Sequence, residues 1–312
     1  MRITVESGGP AALEQWRGYF REFDPAIEVV GWEAARRDPA GIGYALVWAP
    51  GPGRLAALPD LKLIVSAGAG VDNILADPLL PASVPIARMI TESTAAVMGD
   101  YVLTGALMLM RDARGMALDQ AARRWRAREN PPLVNEVRVG VMGLGQMGAH
   151  TALRLVQAGF EVAGWSRTRA HLPGVTCYAG PRERDAFLAR SDILVCLLPA
   201  TPATQGILNA ETFSRLPRGA SLINAGRGSH LVESDLLAAL DSGQLKGALL
   251  DVFDVEPLPD ASPLWTHPGI LITPHYGSTP SRRDRARKTV EIMQRWERGE
   301  TLDLLYDRQR GY

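Results

Sequence analysis

The sequence predicts an α/β protein built from two doubly wound, parallel-sheet domains. Three observations predict it. Short apolar runs alternate with helix-spaced stretches along the chain; the alternation closes at Pro131 and Pro132 and then restarts; and the restart opens on a strand that runs straight into a glycine-rich turn. With 312 residues, 46% of them hydrophobic, the chain is long enough to build two cores.

In the first hundred residues RITVES, IEVVGW, YALVWAP and LKLIVSAG are brief apolar runs bounded by glycine, proline or charge, which is the pattern of strands. Between them PAALEQWRGYFREF spaces its apolar residues for one helix face, and strands parted by helices make parallel β-α-β units. The fourth run ends in SAGAGVDN, whose small residues leave backbone N–H groups unobstructed. STAAVMGDYVLTGALMLMRDARGMA predicts one long helix, and Asp100 within it argues against a membrane span. The second series of strands is EVRVGVMGLGQMG, FEVAGWSR, DILVCLLP, ASLINAGRG, KGALLDVF and GILITPH, with ETFSRLPRG and ESDLLAALDSG as helical stretches between them. SRRDRARKTVEIMQRWERGE predicts a charged amphipathic helix near the end.

Lys+Arg and Asp+Glu both number 34, and this balance argues against broad attraction to nucleic acid or to a membrane surface. Cys177 and Cys196 lack metal or redox spacing, and no clustered ligands suggest a metal. MRITVES reads as a first strand rather than a signal peptide, so a cytoplasmic location is expected.

Gly143, Gly145 and Gly148 satisfy G-x-G-x-x-G between a strand and a helical pattern that takes in Gln146 and Met147. A tight turn, close backbone approach to a pyrophosphate and close helix–strand packing all require that arrangement, so a dinucleotide site is expected. After the next strand such units usually place an acid that accepts from a ribose 2′-hydroxyl. Here the position holds Ser166, followed by Arg167, Thr168 and Arg169. A carboxylate would repel a 2′-phosphate, whereas a hydroxyl and a guanidinium fork suit one. NADPH is therefore the expected cofactor, with Arg167 as its main anchor, Thr168 and Arg169 adding contacts, and NADH a weaker second. The competing reading is that both arginines are solvated loop charges and the site is permissive.

In open α/β sheets ligands bind beyond the carboxyl ends of the strands. Arg227 follows ASLIN, Glu256 follows KGALLDVF and His275 follows GILITP. His150, His171, His230 and His267 are also present, and strand-end position rather than composition selects His275.

NAGRG, LLDVFDVEPLP and ITPH, in this order after GLGQMG, resemble the signature of D-isomer-specific 2-hydroxyacid dehydrogenases, and the likeness covers essentially the whole chain, SAGAGVDN included. TESTAAVMGDYVL, EPLPDASPLW and the SRT stretch are similar to the short glyoxylate/hydroxypyruvate reductases of the A type. The resemblance implies a flavodoxin-like substrate domain (residues 1–95 plus 282–312), a Rossmann coenzyme domain (residues 96–281), a cleft between them and a homodimer built through the coenzyme domain. It implies that Arg227 binds the substrate carboxylate and carbonyl. His275 would be the general acid and Glu256 its partner, since a carboxylate beside an imidazole favours the protonated ring. Asp251 resembles the position that meets the nicotinamide carboxamide, with the structural satisfaction of a buried loop as its other reading; Pro199 and Thr204 match the segment bordering the adenine side, and Ala225 is placed with the cofactor contacts. On the substrate side Ala69 and Gly70 resemble a carboxylate-binding loop, and Trp48 is expected either to wall the pocket against bulk or simply to pack in the core.

The resulting expectation is NADPH-linked reduction of a small 2-keto acid, glyoxylate or hydroxypyruvate. The alternatives are a related dehydrogenase for a larger keto acid and a non-catalytic NAD(P)H sensor of the same fold. Tyr276 and Gly277 depart from the small aliphatic residues that many relatives carry beside the histidine.

Overall fold

A computed structural model describes residues 1–128 and 130–308, so the last four residues of the expected 282–312 segment lie outside it. In chain order the first elements are β1 (Arg2–Glu6), α1 (Leu13–Phe23), β2 (Glu28–Gly31), α2 (Trp32–Arg37), β3 (Tyr44–Val47), β4 (Leu63–Ser66), α3 (Asp72–Leu75), β5 (Ile86–Ala87) and α4 (Glu92–Met110). Next come α5 (Ala113–Ala121), β6 (Arg138–Met142), α6 (Gln146–Gln157), β7 (Glu161–Ser166), β8 (Val175–Ala179), α7 (Arg184–Leu188) and β9 (Ile193–Cys196). The remainder are α8 (Ala210–Arg215), β10 (Ala220–Asn224), α9 (Glu233–Asp241), β11 (Leu245–Leu250), β12 (Ile270–Ile272) and α10 (Arg282–Glu297). The chain divides into two compact units, Met1–Ser93 with Thr279–Tyr312, and Thr94–Ser278.

The first unit holds a five-stranded parallel sheet in the order β2-β1-β3-β4-β5. That is the doubly wound order of flavodoxin-like folds. YALV and LIVS, the β3 and β4 strands, are buried at every position, as parallel strands covered on both faces must be. Tyr44, Leu46, Leu63 and Val65 pack with Trp16 and Phe20 of α1 and with Val290 and Met293 of α10. Alternate residues Ala45, Val47 and Ile64 pack to the other side with Leu55 and Ile74. Strand periodicity thus feeds two apolar layers from one short run.

The second unit holds a seven-stranded parallel sheet, ordered β12-β11-β10-β9-β6-β7-β8. Its winding reverses between β6 and β9, which makes that crevice the topological switch point where such sheets bind ligands. α4 supplies Met98, Val102, Ala106 and Leu109 to one of its cores, beside Val139, Val141, Val195 and Ile223. By length and composition alone α4 is long and apolar enough to cross a membrane, and half of that apolar window is buried within the protein.

The single long helix expected from Ser93 to Ala117 is instead two, α4 and α5. Asp112 stands between them in the left-handed conformation (φ 54°), and its carboxylate accepts the Gly115 N–H at 3.1 Å and caps α5. Two strands escape sequence reading. β5 has only two residues, and β8, VTCYA, is an edge strand with no fully buried residue and therefore no continuous apolar run.

Candidate active site

The glycine turn follows β6 and opens α6. A side chain on Gly148 would overlap the Gly143 carbonyl oxygen, so helix and turn approach too closely for any Cβ there. Gly143 has φ 96°, and a Cβ on it would lie 2.8 Å from the Leu197 carbonyl oxygen. Gly145 differs: its Cβ would meet nothing within 4 Å. Gly145 is also the N-cap of α6 and offers no capping side chain. The first intrahelical bond is Ala149 N–H to Gly145 O at 2.8 Å, so the amides of Gln146, Met147 and Gly148 head the helix. An open cradle at a helix N-terminus beside the switch point fits a pyrophosphate, and with it a dinucleotide.

Ser166 ends β7, and its hydroxyl donates to the Thr168 carbonyl at 2.7 Å, closing the turn that presents Arg167 and Thr168 at the surface. Arg169 turns to other partners. It pairs with Glu183 and donates to the Cys177 carbonyl at 2.7 Å. The Ala179 N–H, and then Arg169, hold the Glu183 carboxyl below the usual carboxylate range. Arg169 is therefore tied to β8.

Across the switch point, Thr204 donates to the Pro199 carbonyl at 2.7 Å and accepts the Thr201 N–H at 2.9 Å. Its hydroxyl shapes the loop after β9. Ala225, immediately beyond β10, is buried, and its N–H donates to the Cys196 carbonyl at 3.2 Å.

Arg227, Glu256 and His275 follow β10, β11 and β12, three adjacent strands. Buried Asn224 forms the Arg227 turn: its Nδ2 donates to the Arg227 carbonyl at 3.1 Å, and its Oδ1 accepts the Gly226 N–H at 3.3 Å. Arg227 Nη1 donates to the Gly226 carbonyl at 2.7 Å. A Cβ on Gly228 would overlap the Phe253 backbone, so this turn lies against the segment that leads to Glu256. Glu256 is anchored by the Phe253 N–H to Oε1 at 3.0 Å, while Oε2 lies 2.8 Å from His275 Nδ1. That contact places a ring proton on Nδ1.

His275 itself has φ 51°, a left-handed conformation that costs a non-glycine residue on the order of 1–3 kcal/mol. Asp251 compensates. Its carboxylate is buried and receives the Thr273 hydroxyl at 2.6 Å, the Tyr276 N–H at 2.8 Å and the Gly277 N–H at 2.9 Å. Its backbone carbonyl takes the His275 N–H at 2.9 Å. Because the Thr273 proton goes to Asp251, the Tyr101 hydroxyl 2.7 Å away must be the donor in that pair. Burial, and then the nearby Asp251 charge, push the Tyr101 phenol above its ordinary range and keep that donor protonated. Of the two readings of Asp251, the structure displays the loop-holding one. The role of Asn224 was not visible in sequence, beyond its place at a strand end.

Trp48, Ala69 and Gly70 belong to the five-stranded unit. The Trp48 ring lies over Gly68, where any Cβ would overlap it. Three successive carbonyls of the neighbouring loop are occupied: Gly68 O by Met89 N–H at 3.1 Å, Ala69 O by Arg88 Nε at 2.9 Å and Gly70 O by Ser66 Oγ at 2.6 Å. In a planar trans peptide the N–H points opposite to the preceding carbonyl. The Ala69 and Gly70 amides therefore face away from those donors, as an anion-binding backbone requires. Arg88, which fixes this orientation, was not singled out in sequence because it follows a strand of two residues.

Residues 103–277 match the family model described as D-isomer specific 2-hydroxyacid dehydrogenase, NAD binding domain. A D-isomer specific 2-hydroxyacid dehydrogenase from Xanthobacter autotrophicus Py2, solved with NADPH and MES, is 41% identical with a TM-score of 0.92, covering 100% of this chain and 99% of that one. A probable 2-hydroxyacid dehydrogenase from Rhizobium etli CFN 42, solved with NADP, HEPES and L(+)-tartaric acid, is 38% identical with a TM-score of 0.88, at 100% and 99% coverage. The NADPH-dependent glyoxylate/hydroxypyruvate reductase of Sinorhizobium meliloti, solved with NADP and sulfate, is 37% identical with a TM-score of 0.90 and the same coverage. A glycine cradle at the switch point, three polar side chains at neighbouring strand ends and likeness along the full chain lead to one conclusion: this protein belongs to the D-isomer specific 2-hydroxyacid dehydrogenases and is an NAD(P)-dependent oxidoreductase.

Proposed function

We propose that this enzyme uses NADPH to reduce small 2-keto acids, glyoxylate and hydroxypyruvate, to the corresponding 2-hydroxy acids. The observation that carries the cofactor choice is the end of β7, where Ser166 closes a turn and Arg167 stands exposed in place of a ribose-binding acid. The substrate choice is supported by likeness to the S. meliloti reductase and by Trp48 packed over the Gly68 loop.

When bound, NADPH supplies the hydride that reduces the keto carbon. Arg227 engages the substrate carboxylate and carbonyl oxygens with its planar fork, orienting and polarising the acid. His275 delivers a proton from Nε2 to the carbonyl oxygen, while Glu256 fixes the ring through Nδ1. In the five-stranded unit the Ala69 and Gly70 amides serve an anionic group and Trp48 limits bulk.

Initial rates with NADPH and NADH against glyoxylate, hydroxypyruvate and a branched keto acid test this reading. NADPH-linked turnover of the two small acids, with NADH poor, is the expected outcome; preference for the branched acid or for NADH refutes the corresponding half. Arg167→Ala removes charge-assisted bonds to the 2′-phosphate and should raise the KM for NADPH roughly 10- to 100-fold while sparing NADH.

Gly145→Ala gives a separate check on the cradle. The new Cβ meets no protein atom within 4 Å, so the melting temperature should stay unchanged. Titration of NADPH fluorescence should nevertheless show weakened binding, because the methyl group occupies the path of the pyrophosphate. Undiminished affinity would place the phosphates elsewhere.

A further inference from the structure

His230 is fully buried, and its ring joins the two segments that flank the nucleotide crevice on the β9–β10 side. The Arg227 N–H donates to its Nδ1 at 3.1 Å, and its Nε2 lies 3.2 Å from the Pro199 carbonyl. A ring nitrogen that accepts an N–H carries a lone pair, so the proton sits on Nε2 and goes to Pro199. An imidazolium would set Nδ1–H against the Arg227 N–H, so the geometry calls for the neutral ring. The Cys196 sulfur lies 3.6 Å from Nδ1, and burial pushes that thiol up to about 12, so it too stays neutral.

The surroundings hold the ring in place. A Cβ on Gly226 would lie 2.9 Å from Nδ1, so the imidazole rests directly on that glycine. Backbone bonds sew the same two segments together: Gly206 N–H to Ser229 O at 2.8 Å, Leu208 N–H to His230 O at 2.8 Å and Val232 N–H to Leu208 O at 3.0 Å. His230 adds to this seam the bond that reaches the backbone of Arg227 itself.

We infer that His230 is a positioning residue: as the Nε2–H tautomer it locks the Arg227 backbone to the Pro199 loop and so sets the aim of the Arg227 guanidinium. The inference rests on the proposed substrate role of Arg227. It acts through that residue, since the ring reaches the Arg227 and Pro199 backbones while the guanidinium bonds elsewhere. Misplacing a substrate-orienting group by about 1 Å can cost on the order of 100-fold in rate.

The test compares His230→Leu, which fills the space but can neither accept nor donate, with His230→Gln, whose amide can accept from Arg227 and donate to Pro199. For His230→Leu we expect NADPH binding within about threefold of wild type and kcat/KM for glyoxylate lowered roughly 10- to 100-fold. His230→Gln should recover most of that loss. Wild-type kcat and KM in His230→Leu overturn the inference. So does equal impairment of both variants in step with their melting temperatures, which would mean packing alone. Should His230→Leu fail to fold, nitrogen NMR of histidine-labelled wild type decides: a proton on Nδ1, or a charged ring at neutral pH, overturns the inference. Arg227→Lys is assayed in parallel. Full activity there would defeat the role of Arg227, and would be distinguishable from a failure of His230.

Discussion

His275→Gln is expected to lower kcat for keto-acid reduction by roughly 10²- to 10⁴-fold, the usual worth of a positioned general acid. Glutamine keeps a polar group of similar reach at the strand end but has no proton to transfer at neutral pH. NADPH affinity should be untouched, because the glycine cradle lies after β6 and His275 after β12. Stopped-flow measurement of NADPH oxidation separates the two effects: a fall in the chemical step with unchanged cofactor binding supports the assignment. A variant that turns over at the wild-type rate would remove His275 from the mechanism. Glu256→Gln should be milder. It weakens the 2.8 Å contact that fixes Nδ1 but leaves the imidazole in place.

Arg227→Gln should cut kcat/KM for either small acid by about 10²- to 10⁴-fold, as two charge-assisted bonds of about 1.5–3 kcal/mol each are lost. Arg227→Lys should fall between that variant and wild type, since an ammonium replaces the charge but not the planar fork. The diagnostic is where the loss appears. Loss of binding common to substrate and transition state raises KM, and loss of carbonyl polarisation lowers kcat. A guanidinium serving both oxygens must show both. A change confined to KM would reduce Arg227 to a carboxylate anchor.

Much of the fold could be read from the sequence because parallel strands buried on both faces leave uninterrupted apolar runs, as LIVS and ILVC do. β8 left no such run because it lies at the sheet edge. The break at Asp112 was hidden for another reason: no proline marks it, and the chain is turned by one left-handed residue whose carboxylate caps α5. His275, Glu256 and Arg227 could be singled out through their place after strands, and the structure sets them beyond three adjacent strands. What escaped was the support. Asn224, Arg88 and His230 act through backbone groups, and a sequence does not show which amide or carbonyl a side chain meets. Nor does the sequence show that Arg169, beside Arg167, pairs with Glu183 fourteen residues on.

The five-stranded unit is written in two places, its sheet before the whole seven-stranded unit and α10 after it. Trp16 and Phe20 find Val290 and Met293 of α10 only after that unit has been made. During synthesis the five-stranded sheet therefore gains part of its cover late, while the nucleotide-binding unit has its full complement of strands earlier. Without α10 the same face of the sheet keeps Trp16 and Phe20 of α1 but loses the cover of Val290 and Met293. Completion of the five-stranded unit therefore waits for α10, although all its strands precede the seven-stranded unit.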